Sequence, residues 1–256
     1  MKSKFEIKDR GTLGDLEHHI REIRCLNRII RWTVDGWDVE PDQRHVDLIV
    51  QEMGVLEARP VSTPGEPATK RGEEASEELD EKQTSKFRSI AARANYLAAD
   101  RTDLMYSVKE ICRGMAKPTE ASWSKLKRLA RYLSGCGRLV TKYPWQGHES
   151  QVMSYSDSDW AGCRVTGKST SGGVVMVGTY FIKGWARTQN HVSLSSAEAE
   201  LYAMVKCTSE LHGIQSMMAD WGQAKSGALY SDSTAALGIA KRKGASKLRH
   251  INIKTL

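Results

Sequence analysis

The sequence predicts an α/β fold with a mixed sheet over its last hundred residues, behind a helical stretch and a small segment of mixed α and β character. Three observations lead there. From Val152 onward the pattern runs as three β-like segments, a long helical segment, a fourth β-like segment and a short final helix. Residues 84–134 instead repeat apolar side chains at helical spacing. Between Arg59 and Lys82, three prolines, two glycines and an acidic run interrupt every periodicity.

The elements follow in order. Within residues 5–60, Ile29 to Val34 reads as a strand closed by the turn signal Asp35-Gly36. From Asp42 to Leu56, Val46, Ile49, Val50 and Met53 share one helical face, and Gly54 stops it. Residues 61–83 lack the composition to bury a core and read as an acidic linker. Residues 84–148 read as a helical connection, with Tyr96, Leu97, Leu104, Val108, Ile111 and Met115 at helical spacing. Pro118 breaks that pattern, and Thr119 caps a second helix carrying Trp123, Leu126, Leu129 and Leu133. Residues 150–256 form the last domain. Its strands are expected at 152–157, 173–177 and 179–185, the latter two meeting at Gly178, with a fourth at 228–231; helices are expected at 195–221 and 233–243.

A chain of 256 residues is long enough for one large domain or two modest ones. Its formal charge of +7 leans toward a polyanionic partner. The charge is unevenly placed: six acids against one base lie between Arg71 and Glu81, whereas the end is basic. Lys241, Lys243, Lys247 and Arg249 are candidate phosphate contacts; a solvated helix end followed by a frayed terminus is the plainer alternative. Five scattered cysteines with no CxxC pair argue against zinc and a disulfide framework. Without a signal peptide or a long apolar run, the expectation is a soluble intracellular protein, in cytoplasm or nucleus, that engages no membrane.

Three stretches place acids at the end of a strand or early in a helix: Ser154 to Trp160, Ser195 to Ala203, and Ala228 to Ser233. Carboxylates brought together at a sheet edge repel one another unless cations neutralise them, which points to Mg²⁺. Two such ions about 3.5–4 Å apart are recurrent machinery for phosphodiester cleavage. Either Asp157 or Asp159 could ligate, the alternative being a polar strand end. Ser195 and Glu198 have the spacing of a capping box, which would turn Glu198 back to the Ser195 amide. Glu200, about 200° further round the helix, is then free to face the sheet. Asp232 or Ser233 could cap the helix that follows them. Carboxylates held more than about 8 Å apart would share no two-metal site. Gly162 to Ser169 also satisfies the phosphate-loop pattern GxxxxGK[ST], but that loop needs a helix after it. The glycine and β-branched residues following Ser169 predict a strand, so no nucleotide cofactor is expected. Trp160, Trp185 and Tyr202 are read as core aromatics rather than base-stacking platforms.

The ordered blocks Tyr155-Ser156-Asp157-Ser158-Asp159-Trp160-Ala161-Gly162, Lys168-Ser169-Thr170-Ser171-Gly172, Ser195-Ser196-Ala197-Glu198-Ala199-Glu200 and Tyr230-Ser231-Asp232-Ser233 resemble the C-terminal portion of copia-type retrotransposon Pol polyproteins. Upstream, Phe5 to Asp9 and Val61 to Pro64 resemble the close of that family's reverse transcriptase, and Arg101 to Leu133 its helical connection. The resemblance implies a truncated RNase H-like mixed sheet at 150–256, behind that connection and a reverse transcriptase remnant at 1–60. It implies Asp157, Glu200 and Asp232 as catalytic ligands of Mg²⁺ (or Mn²⁺), with an RNA–DNA hybrid as substrate. One ion would activate the attacking water and the other stabilise the leaving 3′ oxygen. No polymerase activity is expected, because the family's polymerase aspartates would precede Phe5. Asn252 stands where the family usually has Asp, and a further strand and fourth carboxylate would follow the present end. The alternative reading is a catalytically dead element remnant, at most a weak nucleic-acid binder.

Overall fold

The computed structural model describes residues 6, 10–66 and 76–242. In chain order the elements begin with strands β1 (Glu22–Cys25), β2 (Arg28–Thr33) and β3 (Gly36–Glu40) and helices α1 (Gln43–Glu52), α2 (Glu81–Ala98), α3 (Met105–Arg113) and α4 (Glu120–Gly135). Strands β4 (Thr141–Pro144), β5 (Gln151–Asp159), β6 (Thr170–Val177) and β7 (Tyr180–Thr188) follow, then helix α5 (Ser196–Asp220), strand β8 (Ser226–Ser231) and helix α6 (Thr234–Ala240). They group into two compact units, one drawn from Met1–Arg101 and Gly114–Trp145, the other from Thr102–Arg113 and Gln146–Leu256. Among the described residues no helix is long and apolar enough to cross a membrane.

The first unit combines an antiparallel sheet of order β1-β2-β3-β4 with helices α1, α2 and α4. Each helix starts at a side-chain cap. The Asp42 carboxylate accepts from the Arg44 amide, Asp80 forms a capping box with Gln83, and Thr119 accepts from the Ser122 amide. Ile49, Phe87, Ile90, Leu97, Leu126 and Leu129 fill the space between the helices and are buried. The guanidinium of Arg101, itself buried, donates to the carbonyls of Cys136 and Gly137 at 3.0 and 2.9 Å, satisfying acceptors at the end of α4.

Three features here depart from the sequence expectations. Strand β4 lies inside the 84–148 stretch read as helical and pairs with β3 in the register Val39↔Thr141. Four residues are too few to show alternation, and their partner lies about a hundred positions away. Helix α2 begins within the stretch read as linker, with Leu79 buried just ahead of its cap; residues 67–75 lie outside the described residues. Helix α3, also from 84–148, belongs to the second unit.

The second unit is a mixed sheet of order β7-β6-β5-β8, antiparallel except where β5 and β8 run parallel. Three sequential antiparallel strands, a crossing helix and a parallel fourth strand make the RNase H-like arrangement expected. Gly178, at φ +58°, supplies the left-handed residue of the β6–β7 turn. Helix α5 covers one sheet face through Val152, Val175, Val177, Trp185, Cys207 and Leu211. That packing requires Gly173, because a Cβ there would meet the Trp185 ring at 2.1 Å. The buried hydroxyls of Ser154 and Ser156 on β5 donate to the β8 carbonyls of Ala228 and Tyr230 at 3.3 and 3.4 Å.

Glu40 on β3 gathers cations from β2 and from the segment before β4 in the first unit. Its carboxylate is 6% exposed and accepts from Arg138 Nε at 2.9 Å and Arg31 Nη1 at 2.6 Å. The hydrogen bond from Arg138, reinforced by Arg31, overcomes desolvation and lowers its pKa from 4.5 to about 2. A lowered acid stabilises the fold fully above its unfolded value. That contribution is therefore lost as pH falls from 4.5 toward about 2. Glu40→Gln should destabilise the first unit at pH 7 by about 1–3 kcal/mol, and the difference from wild type should vanish near the bottom of that window, as read from urea melts across pH.

Candidate metal centre

Backbone register brings the acids together. In the parallel pair β5–β8, Ser156 lies opposite Ser231. The next residue along each chain segment is an aspartate, Asp157 within β5 and Asp232 just past β8, so the two acids lie at the same level of the sheet. Helix α5 then carries Glu200 over this edge from its first turns. One oxygen of each of Asp157, Glu200 and Asp232 lies within 4.8 Å of the others, inside the separation a shared site requires.

Capping is assigned to other residues, which leaves these oxygens available. Ser195 caps α5 by accepting from the Glu198 amide at 3.2 Å. Glu198 reaches back as expected, but its Oε2 accepts from the Leu194 amide at 2.8 Å, one position beyond the Ser195 amide that the capping-box reading named. Ser233, not Asp232, caps α6, accepting from the Ala236 amide at 3.2 Å. Asp159 stands apart from the cluster; behind burial and Glu110, its charge helps raise the pKa of Tyr106.

Glu200 is the buried member, 8% exposed, whereas Asp157 and Asp232 face solvent. Its Oε1 accepts from both the amide and the hydroxyl of Ser158, at 3.1 and 2.9 Å. Its Oε2 is buried with no protein hydrogen-bond partner. An ionised, unbonded oxygen in such a place is expensive unless a cation or its water shell meets it. Burial pushes the Glu200 carboxyl above its ordinary range; the Ser158 hydrogen bonds oppose this, and repulsion from Asp157 and Asp232 adds to it. Hard oxygen donors with one orphaned buried oxygen fit Mg²⁺ or Mn²⁺.

The remaining candidates separate cleanly. Lys241 is exposed at the far end of α6, about 10 Å along the axis from the Asp232 end. Lys243, Lys247 and Arg249 lie outside the described residues. Strand β6 begins at Thr170, directly after the GxxxxGKS stretch, so a strand stands where a phosphate loop needs its helix. Trp185 is core as expected, but Trp160 is 50% exposed, its indole donating to the Ser193 carbonyl at 3.1 Å. Tyr202 is half-buried and stacks with His191.

Two positioning residues escaped the sequence reading. Ser158 sits between two more conspicuous aspartates. Gln189 is buried and donates from Nε2 to Ser171 Oγ (3.0 Å) and the Ala199 carbonyl (2.8 Å), while its Oε1 accepts from Ser193 (3.0 Å). An amide side chain just past a strand, near a serine-rich helix start, was the available signal.

No protein-family model matches the chain. Among curated relatives, an uncharacterized mitochondrial protein of Arabidopsis thaliana (AtMg00810) is 33% identical over 168 residues, covering 66% of this chain and 68% of that protein. The retrovirus-related Pol polyproteins from the Arabidopsis thaliana transposons RE1 and RE2 are 30% and 32% identical, over 82% and 80% of this chain. The chain spans 14% of each polyprotein's length. A solved structure of a foamy viral protease–reverse transcriptase in complex with double-stranded DNA aligns with 87% of this chain and 32% of its own, at TM-score 0.47 and 12% identity.

In the metal-free protein, relieving the repulsion should stabilise the second unit. Asp157→Asn is expected to raise its melting temperature by about 1–3 °C at pH 7. Because the folded-state pKa of Glu200 is raised, wild-type stability should fall as pH climbs above 4.5, and less steeply in the variant. Calorimetric melts in chelator across pH test both.

Proposed function

Because the chain belongs to the copia-type retrotransposon Pol polyproteins, as a portion of one, we propose that its second unit is an RNase H domain that hydrolyses the RNA strand of RNA–DNA hybrids. The observation that carries this reading is the convergence of Asp157, Glu200 and Asp232 around a buried carboxylate oxygen without a protein partner. Bound Mg²⁺ (or Mn²⁺) supplies activation of water for attack on phosphorus and charge neutralisation at the leaving 3′ oxygen.

The chain's own residues divide the remaining work. Asp157 projects from β5, Glu200 from the crossing helix α5, and Asp232 from the residue just past β8, so two of the three ligands sit on regular elements and the third directly follows one. Hybrid selection rests on contacts to the RNA 2′-hydroxyls and on duplex shape. Lys241, with Lys243, Lys247 and Arg249 beyond the described residues, supplies phosphate contacts that make binding salt-sensitive. A second reading, hybrid binding without cleavage, is favoured by Asn252 in place of the family's usual Asp.

The test is cleavage of a labelled RNA–DNA hybrid by the full chain in Mg²⁺ or Mn²⁺. Asp157→Asn, Glu200→Gln and Asp232→Asn are each expected to lower the rate by at least about a hundredfold, with salt-sensitive hybrid binding retained. Equal cleavage by wild type and variants would remove these carboxylates from the reaction. Binding without cleavage by wild type would select the second reading.

A further inference from the structure

We infer that Ser158 is a positioning residue that leaves Glu200 a single ligating oxygen, and that it thereby sets the cation preference of the acidic cluster toward Mg²⁺ and Mn²⁺ and against Ca²⁺. The inference rests on the metal-centre reading above and extends it to selectivity.

Two donors from one residue converge on Oε1 of Glu200, the Ser158 amide at 3.1 Å and its hydroxyl at 2.9 Å. An ionised carboxylate oxygen offers about two in-plane acceptor positions, and both are taken. Oε2, buried and without a protein partner, is the oxygen left to a cation. Glu200 is thus presented as a one-oxygen ligand before any ion arrives.

The carboxylate cannot exchange its oxygens by a small shift of backbone. Ser158 is held in the β5–β6 ladder opposite Ser171. The Ser171 hydroxyl accepts from Gln189 Nε2, which also donates to the carbonyl of Ala199, the residue before Glu200. Ser158, Ser171, Gln189, Ala199 and Glu200 therefore form a closed ring of contacts that fixes strand and helix together. Such outer partners govern how a ligand is aimed.

The cations differ in what they ask of this arrangement. Mg²⁺ needs near-octahedral coordination at about 2.0–2.1 Å and accepts single oxygens and waters. Ca²⁺ takes about 6–8 oxygens at longer range and readily uses both oxygens of one carboxylate. Occupying Oε1 denies Ca²⁺ that second oxygen, whereas Mg²⁺ and Mn²⁺ need only Oε2, which the same hold on Oε1 keeps aimed. Removing the hydroxyl frees half of the hold on Oε1.

The experiment is calorimetric titration of the full chain with MnCl₂, MgCl₂ and CaCl₂ separately, for wild type, Ser158→Ala and Ser158→Thr. In Ser158→Ala, Mn²⁺ affinity should fall about tenfold while Ca²⁺ affinity holds or rises, lowering the Mn²⁺:Ca²⁺ ratio by at least about tenfold. Ser158→Thr keeps the hydroxyl in a residue suited to strands and should restore the ratio to within about twofold. A merely structural role would weaken all three ions alike. If Ser158→Ala does not fold, Ser158→Cys gives the same comparison, since it replaces a strong donor by a weak one at similar size. Wild-type Mn²⁺ binding with an unchanged ratio in the variant overturns the inference and leaves the metal centre standing. Absence of Mn²⁺ binding in wild type overturns both, and that failure is recognisable because it precedes any substitution.

Discussion

The parallel pairing of β5 with β8 is the constraint on which the second unit turns. Its register sets Ser156 opposite Ser231 and so places Asp157, within β5, level with Asp232, just past the end of β8. A slip of one residue would send every side chain of one strand to the opposite face. Buried serine hydroxyls answered by β8 carbonyls make that slip costly, since each would be left without its acceptor. Helix α5 depends on the same register. It packs on Val152, Val175, Val177 and Trp185 through Cys207 and Leu211, and its first turns carry Glu200 to the two aspartates.

Gathering three acids at one edge opposes folding, and the surrounding residues limit rather than abolish the penalty. Ser195, Glu198 and Ser233 take the helix-terminal duties that nearby acids could have absorbed. Ser158 gives Glu200 two donors but satisfies only one of its oxygens. What remains is a site that is locally unfavourable and rigidly kept, the usual mark of a place organised for something other than stability.

The first unit handles acids in the opposite way. Glu40 is enclosed by Arg31 and Arg138, Asp42 by Arg44, and Asp80 turns its carboxylate into a helix cap. Half-buried Asp100 and Glu52 likewise meet the guanidinium groups of Arg28 and Arg93. Glu40 is consequently held ionised well into acid, while Glu200 is driven toward its neutral form. The same residue type serves cohesion in one unit and a candidate chemistry in the other.

Much of the second unit was legible in the sequence, because its determinants are local. Periodicity separated strands from helices, Gly178 marked the hairpin, and the residues after Ser169 announced a strand where a phosphate loop needs a helix. The Ser195 and Glu198 spacing identified Glu200 as the free acid, which the structure places in the cluster. Contacts between distant segments were not legible. Pairing of β4 with β3, exposure of Trp160, the aim of Glu198 at Leu194 and the clamp through Gln189 all depend on which backbones lie side by side. For the second unit the sequence by itself determined the elements, their order and the freedom of Glu200, since spacing and capping act over a few residues, while the family resemblance pointed to Asp157 over Asp159 and to Asp232. Only the tertiary structure decided that those acids share one site with a single bare oxygen of Glu200, because register and helix crossing are set by packing across the whole sheet.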